Sequence, residues 1–330
     1  MVESIRTRGL KVPIALAWGI AMATGAPAAH AQVKVDASVT AYQKVSGVSG
    51  NINSVGSDTM NNLMALWGET FQKLYPNVKI QVEGKGSSTA PPALIAGTSQ
   101  FGPMSREMKP TEIDQFEHKY GYKPTQIRTS YDALAVWVNK DNPLEKLTLA
   151  QADAAFSKTR KRGFKAVANW GDLGLTADWA GRPISLYGRN SASGTYGFFK
   201  EHTLQGGDYK DAVKEQPGSA SVVQGVTEDR FGMGYSGIGY RTSGVKALKL
   251  ADKDGGTFFD GSYENVTSGK YPLSRFLYIY VNRAPGKPLD PLVKEFVRLV
   301  LSKEGQEVVV KDGYLPLTPE IVKAELAKVE

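Results

Sequence analysis

The chain runs to 330 residues with no cysteine, three histidines and a formal charge of +7. Without cysteine it has no disulfide, no thiolate metal site, no cysteine nucleophile and no lipid-bearing cysteine. The positive excess is mild and dispersed, with no run of five or six basic residues; it points away from nucleic acid and suits a small anion.

Arg6, Arg8 and Lys11 precede an apolar run over Val12–Gly25, and the segment closes on Ala29-His30-Ala31. A charged stretch, a short apolar stretch and a small-x-small ending form a secretory signal, so residues 1–31 are predicted to be removed before Gln32. Pro13 interrupts the apolar run, which is shorter than the ~20 residues of a membrane span. An exported chain without an anchor is expected in the periplasm.

The mature length exceeds what one core usually organises, so two domains are expected. Residues 32–50 show no periodicity. Asn51–Val55 then reads as a strand, and Met60, Leu63, Met64, Trp67 and Phe71 are spaced as one helix face that ends at Tyr75-Pro76. Val78–Val82 alternates as a second strand, Gly84–Thr89 is a Gly/Ser turn, and a helix starts at Pro91-Pro92. Recurrence of strand, loop and helix predicts an α/β fold.

Two later segments, Asp132–Asn139 and Ser274–Asn282, share an apolar body, a Val-Asn ending, a following basic residue and then Pro-Leu. They read as equivalent crossings between two lobes. Residues 32–132 and 275–330 then make a discontinuous first lobe, and 133–274 the second. Between the crossings the sequence predicts a strand at Pro183–Tyr187, a helix at Tyr196–Leu204 and a Gly-rich turn at Gly232–Gly239. Beyond them, Leu292, Phe296, Leu299 and Val300 give a helical apolar stripe that packs back on the first lobe.

Three loops share one design, a strand running into a Gly/Ser/Thr cluster that opens a helix: Gly56-Ser57-Asp58-Thr59, Gly86-Ser87-Ser88-Thr89 and Gly188–Thr195. Such turns leave backbone N–H groups free at the positive end of a helix dipole, and hydroxyls add donors without net charge. Ser and Thr are also ordinary N-caps, so the signal lies in the three occurring together. Arg189, four residues before Ser193-Gly194-Thr195, brings a planar fork of donors suited to an oxyanion. Arg106, after Ser105 in Gly102–Arg106, is a candidate second cation. Asp58 is the one carboxylate inside a donor loop; it reads either as the acceptor of a ligand proton or as a cap of its own helix.

These residues carry a resemblance. Segments such as NINSVGSDTMNNLMALW, GSSTAPPAL, FGPMSREMK, GRNSASGTYGFFKE and YPLSRFLYIYVN resemble the phosphate-binding proteins of phosphate-specific ABC transporters, the PstS family, in its pseudomonad-like branch. The resemblance implies a type II periplasmic-binding-protein fold, with two α/β lobes, a hinge and a cleft that takes a dehydrated phosphate. It implies no cofactor, no metal and no catalysis, and as partners inorganic phosphate and the membrane permease subunits of an importer, with the binding protein a monomer. Residue by residue, the family's Arg-x-x-x-Ser-Gly-Thr element falls on Arg189, Ser193, Gly194 and Thr195, its first Gly-rich loop on Ser57, Asp58 and Thr59, and the serine of its second on Ser87. Where well-known members place an aspartate that accepts the phosphate proton, this chain has Ser105 and Arg106, which puts selectivity over sulfate in question. Sulfate, molybdate or arsenate is the alternative ligand. A serine hydrolase or phosphatase fits less well, because no Gly-x-Ser-x-Gly elbow and no cluster of metal ligands is present.

Overall fold

The strand period turns Ile52 and Ser54 of β1 (Gly50–Val55) inward while β1 pairs in parallel with β2 (Val78–Glu83). Between them α1 (Asn61–Leu74) turns Leu63, Met64, Trp67 and Phe71 inward, the stripe its spacing predicts. The computed structural model describes Met1 and residues 33–330, so the predicted signal segment and its cleavage point lie outside the described residues. A second helix, α2 (Ala90–Ala96), carries proline in its first turn and stops on the left-handed Gly97. It leads to β3 (Gly102–Met104), which continues a line beside β1 in which Ser54 bridges Phe101 in parallel.

After α3 (Pro110–Tyr120) comes β4 (Thr125–Asn139), 15 residues long and buried over most of its length. The middle of the chain adds β5 (Lys146–Thr148), α4 (Leu149–Phe156), β6 (Ser185–Arg189), α5 (Gly194–His202), β7 (Lys214–Gln216), α6 (Ser219–Glu228), β8 (Gly232–Gly237), β9 (Val245–Ala247), β10 (Lys249–Ala251) and α7 (Tyr263–Thr267). The last strand, β11 (Ser274–Val281), precedes α8 (Pro291–Val300), α9 (Lys303–Lys311) and α10 (Pro319–Leu326). Among the described residues no helix is long and apolar enough to cross a membrane.

One strand order occurs twice. The parallel trio β2-β1-β3 is flanked on β3 by antiparallel β11, and the parallel trio β7-β6-β8 is flanked on β8 by an antiparallel stretch of β4. β11 and the second half of β4 therefore occupy equivalent places, which accounts for their similar sequences. β4 serves both halves: residues 125–133 pair with β11, and 134–138 pair with β8. This is the two-lobe α/β architecture, with β4 as the strand common to both sheets.

Gly232–Gly239 is not a turn. Its first six residues are β8, buried throughout, because a Cβ at Gly234 would stand 2.8 Å from Val222 and 3.1 Å from the carbonyl oxygen of Tyr187. The glycines let α6 and β6 approach the strand closely, and that need outweighs their low strand propensity.

The predicted C-terminal stripe forms α8, whose Asp290 caps the N–H groups of Leu292 and Val293. Phe296 meets Phe71 edge-on at 5.3 Å, and Trp67 donates its indole N–H to the carbonyl of Gly305 at 2.8 Å, tying the C-terminal helices to α1.

At the end of α9 burial pushes the Asp312 carboxyl up to about 7, and among the described residues that carboxylate has no hydrogen-bonding donor. A folded-state value above the unfolded one means that this group favours folding at low pH and that the benefit is lost as pH rises from about 4 to about 7. Asp312→Asn should therefore raise stability at pH 8 by about 1–2 kcal/mol after discounting for partial exposure, and change it little at pH 4. Urea midpoints at the two pH values check this, and an equal shift at both would refute it.

Candidate functional site

Both parallel trios end their strands toward one place. There the loops after β1, β2 and β3 meet the loop between β6 and α5. Gly194 shows how closely: a Cβ on it would lie 2.3 Å from Ser87 Oγ and 2.6 Å from Ser105 Oγ. Thr59 Oγ1 and Thr195 Oγ1 are 2.8 Å apart, and Ser87 Oγ accepts the N–H of Ser105 at 3.0 Å while standing 3.3 Å from its hydroxyl. Ser57, Thr59, Ser87, Ser105, Ser193 and Thr195 are all buried. Ser57 Oγ is enclosed without a hydrogen-bond partner among the described residues, a position natural elements rarely leave unless a ligand or water meets it.

Each loop delivers its donors in the way its sequence suggests. Asp58–Met60 is a single 3-10 turn leading into α1, and Ser87–Thr89 is another leading into α2. Ser193 caps α5, its Oγ accepting the N–H groups of Thr195 at 3.1 Å and Tyr196 at 3.3 Å. The leading N–H groups of the three turns, on Asp58, Ser87 and Gly194, make no backbone hydrogen bond, as helix starts require.

Arg189, at the end of β6, is 1% exposed. Its Nη1 donates to Ser219 Oγ at 2.6 Å and its Nη2 to the carbonyl of Pro217 at 3.2 Å; Nη2 also lies 3.1 Å from Asp58 Oδ2. Its Nε is buried without a partner. Burial pulls this guanidinium below its ordinary value, and the Asp58 carboxylate opposes that pull.

Asp58 does not cap its own helix. Its Oδ2 accepts the N–H of Ser219 at 2.8 Å, so it caps α6 from across the cluster, and a negative charge at that helix start is favourable. Its other oxygen, Oδ1, has no donor among the described residues.

The guanidinium of Arg106 reaches one loop hydroxyl, Ser88 Oγ at 3.3 Å, but its main partner is a carboxylate. It forks onto Glu112, at 2.7 and 2.6 Å, and its charge is answered there. The second cation in the cluster is Arg275 of β11, which sequence reading missed, together with Asp132 and Ser219. Arg275 donates to Asp132 Oδ2, to the carbonyl of Ser105 and to Thr195 Oγ1. A signal for the pair was present: one acidic and one basic residue stand within the first two positions of two otherwise apolar segments, DALAVWVN and SRFLYIYVN.

Two arginines balanced by two aspartates leave the cluster without net formal charge, yet rich in hydroxyl and N–H donors. Such a place suits a small oxyanion that is stripped of water and held by hydrogen bonds rather than by excess charge. His118 and His202 are exposed, and no serine hydroxyl of the described residues bonds to either. Among the described residues no cluster of His, Cys, Asp or Glu could hold a metal.

Residues 41–304 match the PBP superfamily domain. The phosphate-binding protein PstS of Pseudomonas aeruginosa is 58% identical over 303 residues, 92% of this chain and 94% of that protein. This chain belongs to the PstS family. The PstS protein of Staphylococcus epidermidis, at 28% identity, aligns over 84% of this chain and 82% of its own. Among solved structures, a Clostridium perfringens protein described as a phosphate ABC transporter substrate-binding protein, with bound phosphate, superposes with a TM-score of 0.69 at 25% identity, covering 82% of this chain and all of that one. An ABC-type phosphate transport receptor from Vibrio cholerae shares the fold, with a TM-score of 0.63 at 22% identity over 81% of this chain and all of that one.

Proposed function

We propose that this protein captures inorganic phosphate in the periplasm and delivers it to the permease of an ABC importer, as a monomer and without catalysis. The observation that carries the reading is the convergence at Gly194, where hydroxyl loops after β1, β2, β3 and β6 close within contact distance, with the buried Arg189 3.1 Å from Asp58 of the first loop. Ser57, Asp58, Thr59, Ser87, Ser105, Arg189, Ser193, Gly194 and Thr195 form the anion site in this reading. Arg106 steadies the Ser105 loop through Glu112 and its 3.3 Å bond to Ser88 Oγ. Residues 32–132 and 275–330 make one lobe and 133–274 the other, because β4 exchanges β11 for β8 between Ala133 and Leu134. Residues 1–31 act as the export signal.

Selectivity over sulfate falls to Asp58 in this reading. Phosphate near neutral pH carries a proton to donate and sulfate carries none, so a carboxylate oxygen facing the ligand favours the first. Oδ1 of Asp58 is free for that task, whereas both oxygens of Asp132 are engaged by Arg275 and the N–H of Ile238. Calorimetric titration of the mature protein with phosphate and with sulfate, in the presence of a chelator, should show one-to-one phosphate binding. Asp58→Asn should weaken phosphate and narrow the phosphate-to-sulfate ratio. Absence of phosphate binding would refute the function, and an unchanged ratio in Asp58→Asn would refute the role of Asp58.

A further inference from the structure

Arg275 stands where the two sheets exchange strands. It is the second residue of β11 and stands directly opposite Asp132 of β4, two residues before β4 pairs with β8. The two side chains are 2% and 0% exposed. Asp132 Oδ2 accepts Arg275 Nε at 2.9 Å and Nη2 at 2.7 Å, while its Oδ1 accepts the N–H of Ile238, just past β8, at 3.0 Å. The guanidinium also donates away from this pair. Nη1 reaches the carbonyl of Ser105 at 2.7 Å, and Nη2 reaches Thr195 Oγ1 at 3.0 Å. The ring of Phe198, on α5, lies 5.2 Å from its centre.

A buried ion pair by itself is weak evidence for stability, because desolvation offsets much of the attraction. The donors to Ser105 and Thr195 are what a simple structural pair does not require. Ser105 follows β3 in one proposed lobe, and Thr195 lies in the first turn of α5 in the other. A lysine offers one charged point, whereas the planar fork of arginine holds several directions at once. Thr195 Oγ1 in turn lies 2.8 Å from Thr59 Oγ1, so the fork ends inside the hydroxyl cluster.

We infer that Arg275 is a positioning residue for anion capture: anchored on Asp132 at the shared strands, it joins the Ser105 loop of one lobe to the Thr195 turn of the other, so that the donor cluster assembles only as the lobes close. The inference rests on the phosphate reading and deepens it. Loss of Arg275 should weaken binding and also separate binding from closure.

The test pairs calorimetry with small-angle scattering on the mature protein, using phosphate and sulfate as separate ligands. The main variant is the double change Arg275→Gln with Asp132→Asn, which removes both buried charges and keeps groups able to hydrogen-bond each other, so that neither charge is left alone. Loss of a charge-assisted donor should weaken phosphate binding by roughly 10- to 150-fold, and ligand should no longer reduce the radius of gyration. Wild-type affinity, or weakened binding with undiminished compaction, overturns the proposal. Should the double variant lack a cooperative melt, Arg275→Lys decides: it keeps the charge without the fork, so reduced affinity with reduced compaction supports the role, and wild-type behaviour overturns it. A wild-type protein that takes sulfate and not phosphate defeats the phosphate reading alone, and the same variants are then judged with sulfate. One that takes neither anion overturns both.

Discussion

Arg189→Ala is expected to weaken phosphate binding by roughly 30-fold to several thousand-fold, since removing the charged partner of a buried, hydrogen-bonded contact commonly costs ~2–5 kcal/mol. The structure places three further losses at the same position. Ser219 Oγ and the carbonyl of Pro217 lose a donor, and Asp58 loses the cation 3.1 Å from its Oδ2. An unanswered carboxylate beside an incoming dianion would repel it, so the effect should lie toward the upper end. Arg189→Lys should recover part of the charge but not the bidentate geometry, and should stay weaker than wild type. Calorimetry with phosphate reads both variants, and a melting curve separates lost affinity from lost fold. An Arg189→Ala protein that binds like wild type would take this residue out of the site.

Gly194→Ala should weaken binding by roughly 10- to 100-fold while leaving the unliganded protein about as stable as wild type. Alanine at the first position of α5 suits a helix, so the helix itself loses nothing. The obstacle lies across the cluster, where the new methyl would stand 2.3 Å from Ser87 Oγ, 2.6 Å from Ser105 Oγ and 2.9 Å from Ser87 Cβ. Hydroxyls can rotate aside, but the Ser87 Cβ contact can be relieved only by moving the loops apart. Overpacking of this kind costs ~1–3 kcal/mol, and here that cost falls on the closed arrangement. Scattering should show a radius of gyration that no longer falls with phosphate. If Gly194→Ala binds and compacts normally, the loops have more freedom than their contact distances imply.

The local chemistry of the donor loops was legible in the sequence because each loop is specified within a few residues. Gly56–Thr59, Gly86–Thr89 and Gly188–Thr195 announce a turn, free N–H groups and hydroxyls together, and Ser193 caps the helix it precedes. The apolar stripes of α1 and α8 were equally plain, since a helix face repeats every 3.6 residues and needs no distant partner to be recognised. The likeness of DALAVWVN to SRFLYIYVN carried over as well, because both strands flank a parallel trio in the same way.

Tertiary structure decided the rest, since each remaining choice depended on a partner far along the chain. β8 looks like a turn until α6 and β6 are seen to require glycine at close range. Asp58 stands beside its own helix in sequence, yet it caps α6, 161 residues away, because that helix start and Arg189 arrive in front of it. Arg106 and Arg275 are alike as residue types, and only their neighbours separate them: Glu112, in the first turn of α3, takes the first, while Asp132 faces the second across a strand pair and directs it toward the hydroxyls. A cation's role in a buried site is set by which carboxylate reaches it, and that is a fact of three dimensions.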